Sequence, residues 1–214
     1  MADYSKPDHF TIKALKEGYP ARSVYKLKEI DEKFKLIKEG SSIKALDLGA
    51  SPGSWSLYIL RKFAKAKPMH GTKNSSLVSI DLVSLSREYD KGLFDNDNFF
   101  FIKGDMLSEE VRETVKARGP YGLIVSDAAP ATTGNRSIDT LRSLELTEMA
   151  LDYAHNVLIK GGNLLVKVFQ GSETAMLLKQ IKTLFETGKS FKPMATRSGS
   201  FETYFIGLGK KSNF

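Results

Sequence analysis

Apolar positions along the chain follow two rhythms that take turns. Compact apolar runs bounded by turn residues read as strands over 43–48, 77–81, 99–102, 122–126, 162–169 and 203–208, with a weaker one near 191–195. Between them, segments 54–65, 108–118, 138–158 and 173–185 place apolar residues at helical spacing, and two more helical segments precede the first strand. Strands that alternate with crossover helices form a βαβ series. The pattern therefore predicts an α/β fold, with helices on both faces of a seven-stranded, mostly parallel sheet. The last two strands have only short, helix-free connections, GKS and RSGSFE, which predicts an antiparallel C-terminal hairpin at one end of the sheet. The stretch 65–76 reads as a polar loop.

Composition narrows the chemistry. With 214 residues, 41% of them hydrophobic and 27% charged, the chain can fill a core, which argues against disorder. It has no Cys, so disulfide frameworks, thiol nucleophiles and Cys-ligated metals are excluded, and a reducing cytoplasm is compatible. His9, His70 and His155 lie at no metal-ligand spacing, and no metal site is expected. No stretch approaches the roughly 20 apolar residues of a membrane span, and the start lacks the apolar core of a signal peptide. A cytoplasmic protein without membrane contact is the expectation.

The net charge is +7, and its distribution is uneven. Residues 1–44 carry ten Lys/Arg and seven Asp/Glu, residues 187–214 carry five and one, and the segment between carries seventeen of each. The excess sits in the two ends. If folding brings them to one face, that face suits a polyanion; charge alone serves solubility equally well.

Candidate chemistry begins where the first strand meets its helix, at Asp47, Leu48, Gly49, Ala50, Ser51, Pro52, Gly53, Ser54 and Trp55. Doubly wound sheets bind adenosine-containing ligands at that turn, and glycine allows a ligand to approach the backbone closely. The spacing is not GxGxxG, so a dinucleotide is poorly supported. Asp47 suits a cationic part of a ligand, either a sulfonium or an ammonium. Asp81 ends the second strand, where a carboxylate can accept ribose hydroxyls. In Gly104-Asp105-Met106, after the third, Asp105 can accept from an adenine amino group and Met106 can pack on the ring. Asp127 ends the fourth strand. Each Asp alone equally suits a helix N-cap; four at consecutive carboxyl ends of strands favour a site.

Five segments together resemble the successive signatures of the FtsJ/RrmJ-type ribose 2′-O-methyltransferases: RSVYKL from Arg22, DLGASPGSW, SDAAPATTG from Ser126, VKVFQG from Val166 and RSGSFETY from Arg197. The resemblance runs over nearly the whole chain. It implies a Rossmann-like fold in which 1–214 form one unit, with basic helices at 1–42 contributing to RNA binding and 43–214 forming the catalytic core. It also implies S-adenosyl-L-methionine as cofactor and S-adenosyl-L-homocysteine as product, bound by Asp47, Gly49 to Trp55, Asp81, Asp105, Met106 and Asp127. A Lys-Asp-Lys-Glu tetrad maps onto Lys26, Asp127, Lys167 and Glu202. The implied substrate is a uridine of large-subunit ribosomal RNA within ribosomal particles, methylated by a monomer. Transfer RNA is the alternative within the family, and a non-catalytic RNA-binding assembly factor is the alternative outside it. The loop reads ASPGSW where many relatives have AAPGGW, and 65–76 has no counterpart in the shortest ones.

A ribose hydroxyl is a poor nucleophile, so a catalyst must align it and manage its proton. Lys167 sits in the apolar run GGNLLVKVF, where a cation is unexpected unless its head reaches a site or snorkels to water. A lysine base needs its pKa lowered from about 10.4 towards ~7 to 8. Lys26 would favour that, while Asp127 and Glu202 would oppose it, so base and steering group both stay open for Lys167. Glu202 can pair with Arg197 or Lys26; the resemblance makes it an orienting group. Phe10, Tyr19 and Tyr25 can stack on bases or pack in the core.

Overall fold

The computed structural model describes residues 7–37, 42–65, 75–131 and 133–212. Two helices, α1 (His9–Lys16) and α2 (Val24–Phe34), precede the sheet. Then β1 (Lys44–Leu48), α3 (Ser54–Lys65), β2 (Ser76–Asp81), β3 (Phe99–Lys103), α4 (Glu109–Arg118), β4 (Tyr121–Ser126), α5 (Arg136–Val157), β5 (Leu158–Phe169), α6 (Thr174–Leu184), β6 (Phe185–Phe191) and β7 (Glu202–Lys210) follow. The seven strands lie in the order β3-β2-β1-β4-β5-β7-β6. Strands β1 to β5 are parallel, and β7 runs antiparallel to both of its neighbours.

Helix starts follow the capping rules. The Asp8 side chain accepts from Thr11 N–H at 2.9 Å, and the Asn135 carbonyl oxygen accepts from Ser137 and Ile138 N–H at 3.0 and 3.3 Å. In α4, Glu109 and Glu110 occupy the first turn and Lys116 and Arg118 the last, complementing the helix dipole.

Side-chain alternation along each strand feeds two cores. Ala45, Leu123, Val125, Leu165 and Tyr204 pack against α1, α2 and α3; Leu46, Ile124, Leu164, Val166 and Phe205 pack against α4, α5 and α6. The N-terminal helices share the first core through Ala14 of α1 and Val24, Leu27 and Ile30 of α2.

One detail departs from the expectation. The weak strand is not at 191–195 but at Phe185–Phe191. The buried Phe185 leaves α6 directly in extended conformation, its ring filling the space a Cβ on Gly207 would need, and Pro193 cannot continue the ladder. The expected antiparallel hairpin is present at one end of the sheet, with β7 inside against β5 and β6 at the edge. Of the polar stretch 65–76, residues 66–74, including His70, lie outside the described residues.

A buried carboxylate fastens α2 to α3. Asp31 accepts from Ile37 N–H (2.9 Å) and Tyr58 O–H (2.8 Å) and lies 3.3 Å from Lys62 Nζ. Asp31→Ala leaves these donors unanswered in an apolar setting and is expected to cost about 3 kcal/mol in urea unfolding. A loss below about 1 kcal/mol would contradict this role.

Candidate active site

The turn after β1 requires its glycine. Gly49 has φ +73°, and a Cβ there would lie 2.5 Å from Ala128 Cα. Gly49 and Ala50 N–H both donate to Ile80 O at 3.0 Å, and Ser51 N–H donates to Asp81 Oδ2 at 2.8 Å. Asp81 Oδ1 accepts from Val83 N–H at 2.8 Å, which fixes the carboxylate at the rim.

A cleft of about 310 Å³ opens over the carboxyl ends of β1 to β4 and is lined by Gly49, Ser51, Asp81, Asp105, Met106 and Asp127, among others. It lies at the point where strand order reverses, between β1 and β4. Acceptors on its rim, an apolar methionine and the absence of Lys or Arg among its described lining residues fit a ligand that offers hydroxyls, an amino group and positive charge. Asp47 does not line the cleft. It is fully buried, its Oδ2 accepts from Ser56 at 2.6 Å, and its Oδ1 has no partner among the described residues. Burial pushes its carboxyl up to about 7; the Ser56 bond opposes this, and Asp127 and Asp81 add to it.

Other loop residues face away from the cleft. Gly53 packs its Cα against Phe94, where a Cβ would come within 3.2 Å of the ring. Ser54 Oγ accepts from Ala21 N–H (2.8 Å) and donates to Ala21 O (3.1 Å), and Trp55 Nε1–H donates to Ser23 O (2.9 Å). These two side chains fix the start of α2, and with it Lys26. Ala50 and Pro52 shape the turn: Gly53 N–H donates to Ala50 O and Ser86 N–H to Pro52 O.

Register assembles the rest. Lys167 lies opposite Tyr204 and Phe169 opposite Glu202 across the β5–β7 ladder, so the period of two puts Lys167, Tyr204 and Glu202 on one face. Ser126 pairs with Val166, which brings Asp127 beside Lys167. Lys167 Nζ donates to Asp127 O at 2.5 Å and lies 3.2 Å from Asp127 Oδ1, which also accepts from Tyr204 O–H at 2.7 Å. From the first turn of α2, Lys26 Nζ reaches Glu202 Oε1 at 2.5 Å and lies 5.9 Å above the Tyr204 ring. The four residues expected from sequence thus meet as two ion pairs joined through Tyr204.

Burial works against the Asp127 carboxylate, yet Lys167, Lys26 and the Tyr204 hydroxyl together hold it below the usual range. Burial, Asp127 and Glu202 push the Tyr204 phenol well up, so it stays a hydrogen-bond donor.

Three participants were not identified from the sequence. Tyr204 stands two residues after Glu202, and strand alternation was the available signal. Ser143 and Thr147, buried on α5, brace β5 at Lys167: Phe169 N–H donates to Ser143 Oγ (3.2 Å), and Thr147 O–H donates to Ser143 O (2.8 Å) and lies 3.3 Å from Lys167 O. Nothing in a helix sequence marks those two hydroxyls.

A second groove, of about 410 Å³, runs past Lys26 and Glu202 and includes Arg22, Arg197 and Ser200. Here the two basic ends meet. Arg22 donates to Ala195 O at 2.6 Å and pairs with Asp8, and Glu29 accepts from Met194 and Ala195 N–H at 3.0 and 3.3 Å. Burial and then the Arg197 cation lower the Arg22 pKa, against Glu202. The aromatic residues considered for base stacking serve the core instead: Tyr19 and Tyr25 are buried, and Phe10 packs on Tyr25 at 5.5 Å.

Comparison with known proteins identifies relatives over nearly the whole chain. The FtsJ-like methyltransferase family model matches residues 19–210. A Treponema denticola protein named ribosomal RNA large subunit methyltransferase E is 46% identical over 209 residues, 97% of this chain and 97% of that protein. A protein of the same name from Nitratidesulfovibrio vulgaris is 42% identical and covers 96% of each chain. A solved structure from Plasmodium falciparum, named for a ribosomal RNA methyltransferase, superposes with TM-score 0.74 at 26% identity, covering 91% of this chain and all of that one. The fibrillarin/Nop5p complex, at TM-score 0.56 and 14% identity over 87% of this chain and 82% of that one, shares the fold.

The Asp47 environment gives a pH signature. The folded protein keeps the Asp47 proton up to about 7, whereas the unfolded chain releases it near 3.8, so the folded state binds more protons in between and stability falls as pH rises. Asp47→Asn lacks that decline, so its stability relative to the parent should rise from about pH 4 to about 7 and then level off in denaturant titrations. A difference independent of pH would contradict it.

Proposed function

The chain belongs to the FtsJ-like methyltransferase family, and from that premise we propose that it transfers the methyl group of S-adenosylmethionine to a ribose 2′-hydroxyl of large-subunit ribosomal RNA. The observation that carries the reading is the meeting of Lys26, Asp127, Lys167 and Glu202 at the edge of the cleft. The names of the Treponema and Nitratidesulfovibrio relatives favour large-subunit RNA over transfer RNA.

S-adenosylmethionine, when bound, supplies a methyl on a sulfonium sulfur. Asp81 and Asp105 would accept from its adenosine, Met106 would pack on the base, and the Gly49–Ser51 backbone would line the methionine side. The ionised Asp127 favours its positive charge.

The remaining work falls to the tetrad. Two of the three protons on Lys167 Nζ are taken by Asp127 O and Oδ1, and the third is available to the ribose oxygen. That arrangement holds an ammonium that orients the oxygen lone pair. Asp127, engaged by Lys167 and Tyr204 and held below the usual carboxylate range, is a weak base, and Glu202 is occupied by Lys26. The hydroxyl proton therefore leaves to solvent as the methyl–oxygen bond forms. The groove with Arg22 and Arg197 supplies cations for RNA phosphates.

The test is transfer of labelled methyl from S-adenosylmethionine to large ribosomal subunits and, separately, to total transfer RNA, both from a strain lacking the modification. Label is expected on a ribose of the large-subunit RNA, with Lys167→Ala lowering the rate by about a hundredfold or more at unchanged S-adenosylhomocysteine affinity. Label confined to transfer RNA would overturn the substrate; full activity in Lys167→Ala would overturn the mechanism.

A further inference from the structure

We propose that the cleft between α5 and the start of α6 receives a nucleobase neighbouring the methylated ribose, an inference that rests on the methyl-transfer reading above. This cleft, of about 480 Å³, shares no lining residue with the groove that holds Arg22 and Arg197. Its wall begins at Val168, the residue after Lys167, and continues through Gly171 into Thr174. Alternation along β5 sends Lys167 and Val168 to opposite faces, so the strand end separates the catalytic ammonium from the cleft.

The shared wall is rigid. The Phe169 ring meets Phe201 edge-on at 4.7 Å, Phe201 O accepts from Gln170 N–H at 2.9 Å, and Phe201 directly precedes Glu202. At Gly171 the loop approaches α5 so closely that a Cβ would fall 2.5 Å from Thr140 Cγ2.

The chemistry of the cleft differs from that of the basic groove. Leu144, Val168, Phe169 and Leu177 supply apolar walls, and Leu141 contributes a side chain that is 65% exposed, which carries a hydration cost until something covers it. The described lining residues include no Lys or Arg. Its polar groups are neutral or acidic: the exposed side chain of Gln170 presents both a donor and an acceptor, and Glu173 stands at the N-cap position of α6 without making a side-chain cap bond. A flat, uncharged ring that stacks on aliphatic and aromatic walls and offers edge N–H groups to an amide and a carboxylate matches this set; a phosphate does not. An RNA strand crossing the carboxyl edge of the sheet would place phosphate in the basic groove, ribose on the tetrad and the neighbouring base in this cleft. Unstacking that base resembles the extrusion by which enzymes reach atoms within structured nucleic acid.

The test compares full-length wild type, Leu141→Asp and Gln170→Ala in methyl transfer to unmodified large ribosomal subunits, and in binding of protein-free large-subunit RNA with competitor transfer RNA present. Both variants should raise the KM for subunits by about tenfold and weaken RNA binding, with kcat and S-adenosylhomocysteine affinity near wild type. Unchanged KM in both variants, with wild type active, would overturn the inference alone. A KM increase on subunits without weaker binding of protein-free RNA would assign the cleft to a ribosomal protein and also overturn it. No transfer by wild type would instead overturn the methyl-transfer reading.

Discussion

The site is organised around keeping one largely enclosed carboxylate ionised. Asp127 stands where the donor cleft and the tetrad meet, with burial opposing its charge and Lys167, Lys26 and Tyr204 sustaining it. A buried charge is tolerated only when its lone pairs are answered, and here the answering groups are the ones that chemistry on a hydroxyl needs. The Lys167–Asp127 pair thus answers the carboxylate's charge and, in the proposed mechanism, also aims an N–H at the substrate oxygen.

Topology supplies the answering groups. Because β7 enters antiparallel between β5 and β6, its residues run past Lys167 in the opposite sense, and Tyr204 and Glu202 fall on the same face. Lys26 comes from outside the sheet, and its position is secured by Ser54 and Trp55 at the start of α3 and by Arg22 and Glu29 against the segment before β7. The loop residues after Gly53 therefore matter more for placing Lys26 than for touching a donor. Both basic ends of the chain converge because this bracing draws them together, which turns a diffuse charge excess into a groove.

The parallel core was legible in the sequence because the central parts of β1, β4 and β5 are buried on both faces and read as short, mostly apolar runs. The edge strand β6 was not, because FETGKSF has one neighbour and a mostly polar face. The tetrad was legible through motif resemblance; its division into two ion pairs was not, because pairing depends on strand register and on the α2–α3 contact. Asp47 was expected at the ligand and lies beneath the loop instead, since the first-strand side chain points into the core that Ser56 shares. Tyr19 and Tyr25 show the opposite limit: the same aromatic residues serve a core or a base stack, and only packing decides.

The central claim is that Lys167 acts as a fixed donor that steers the ribose oxygen, and not as the group that removes its proton. Single-turnover methyl transfer measured across pH for wild type and Lys167→Arg tests it most directly, because arginine preserves the donor and cannot serve as a base. The account predicts a slower variant whose profile keeps the shape of the wild-type curve. A low-pH limb present in wild type and lost in Lys167→Arg would contradict it and make Lys167 the base.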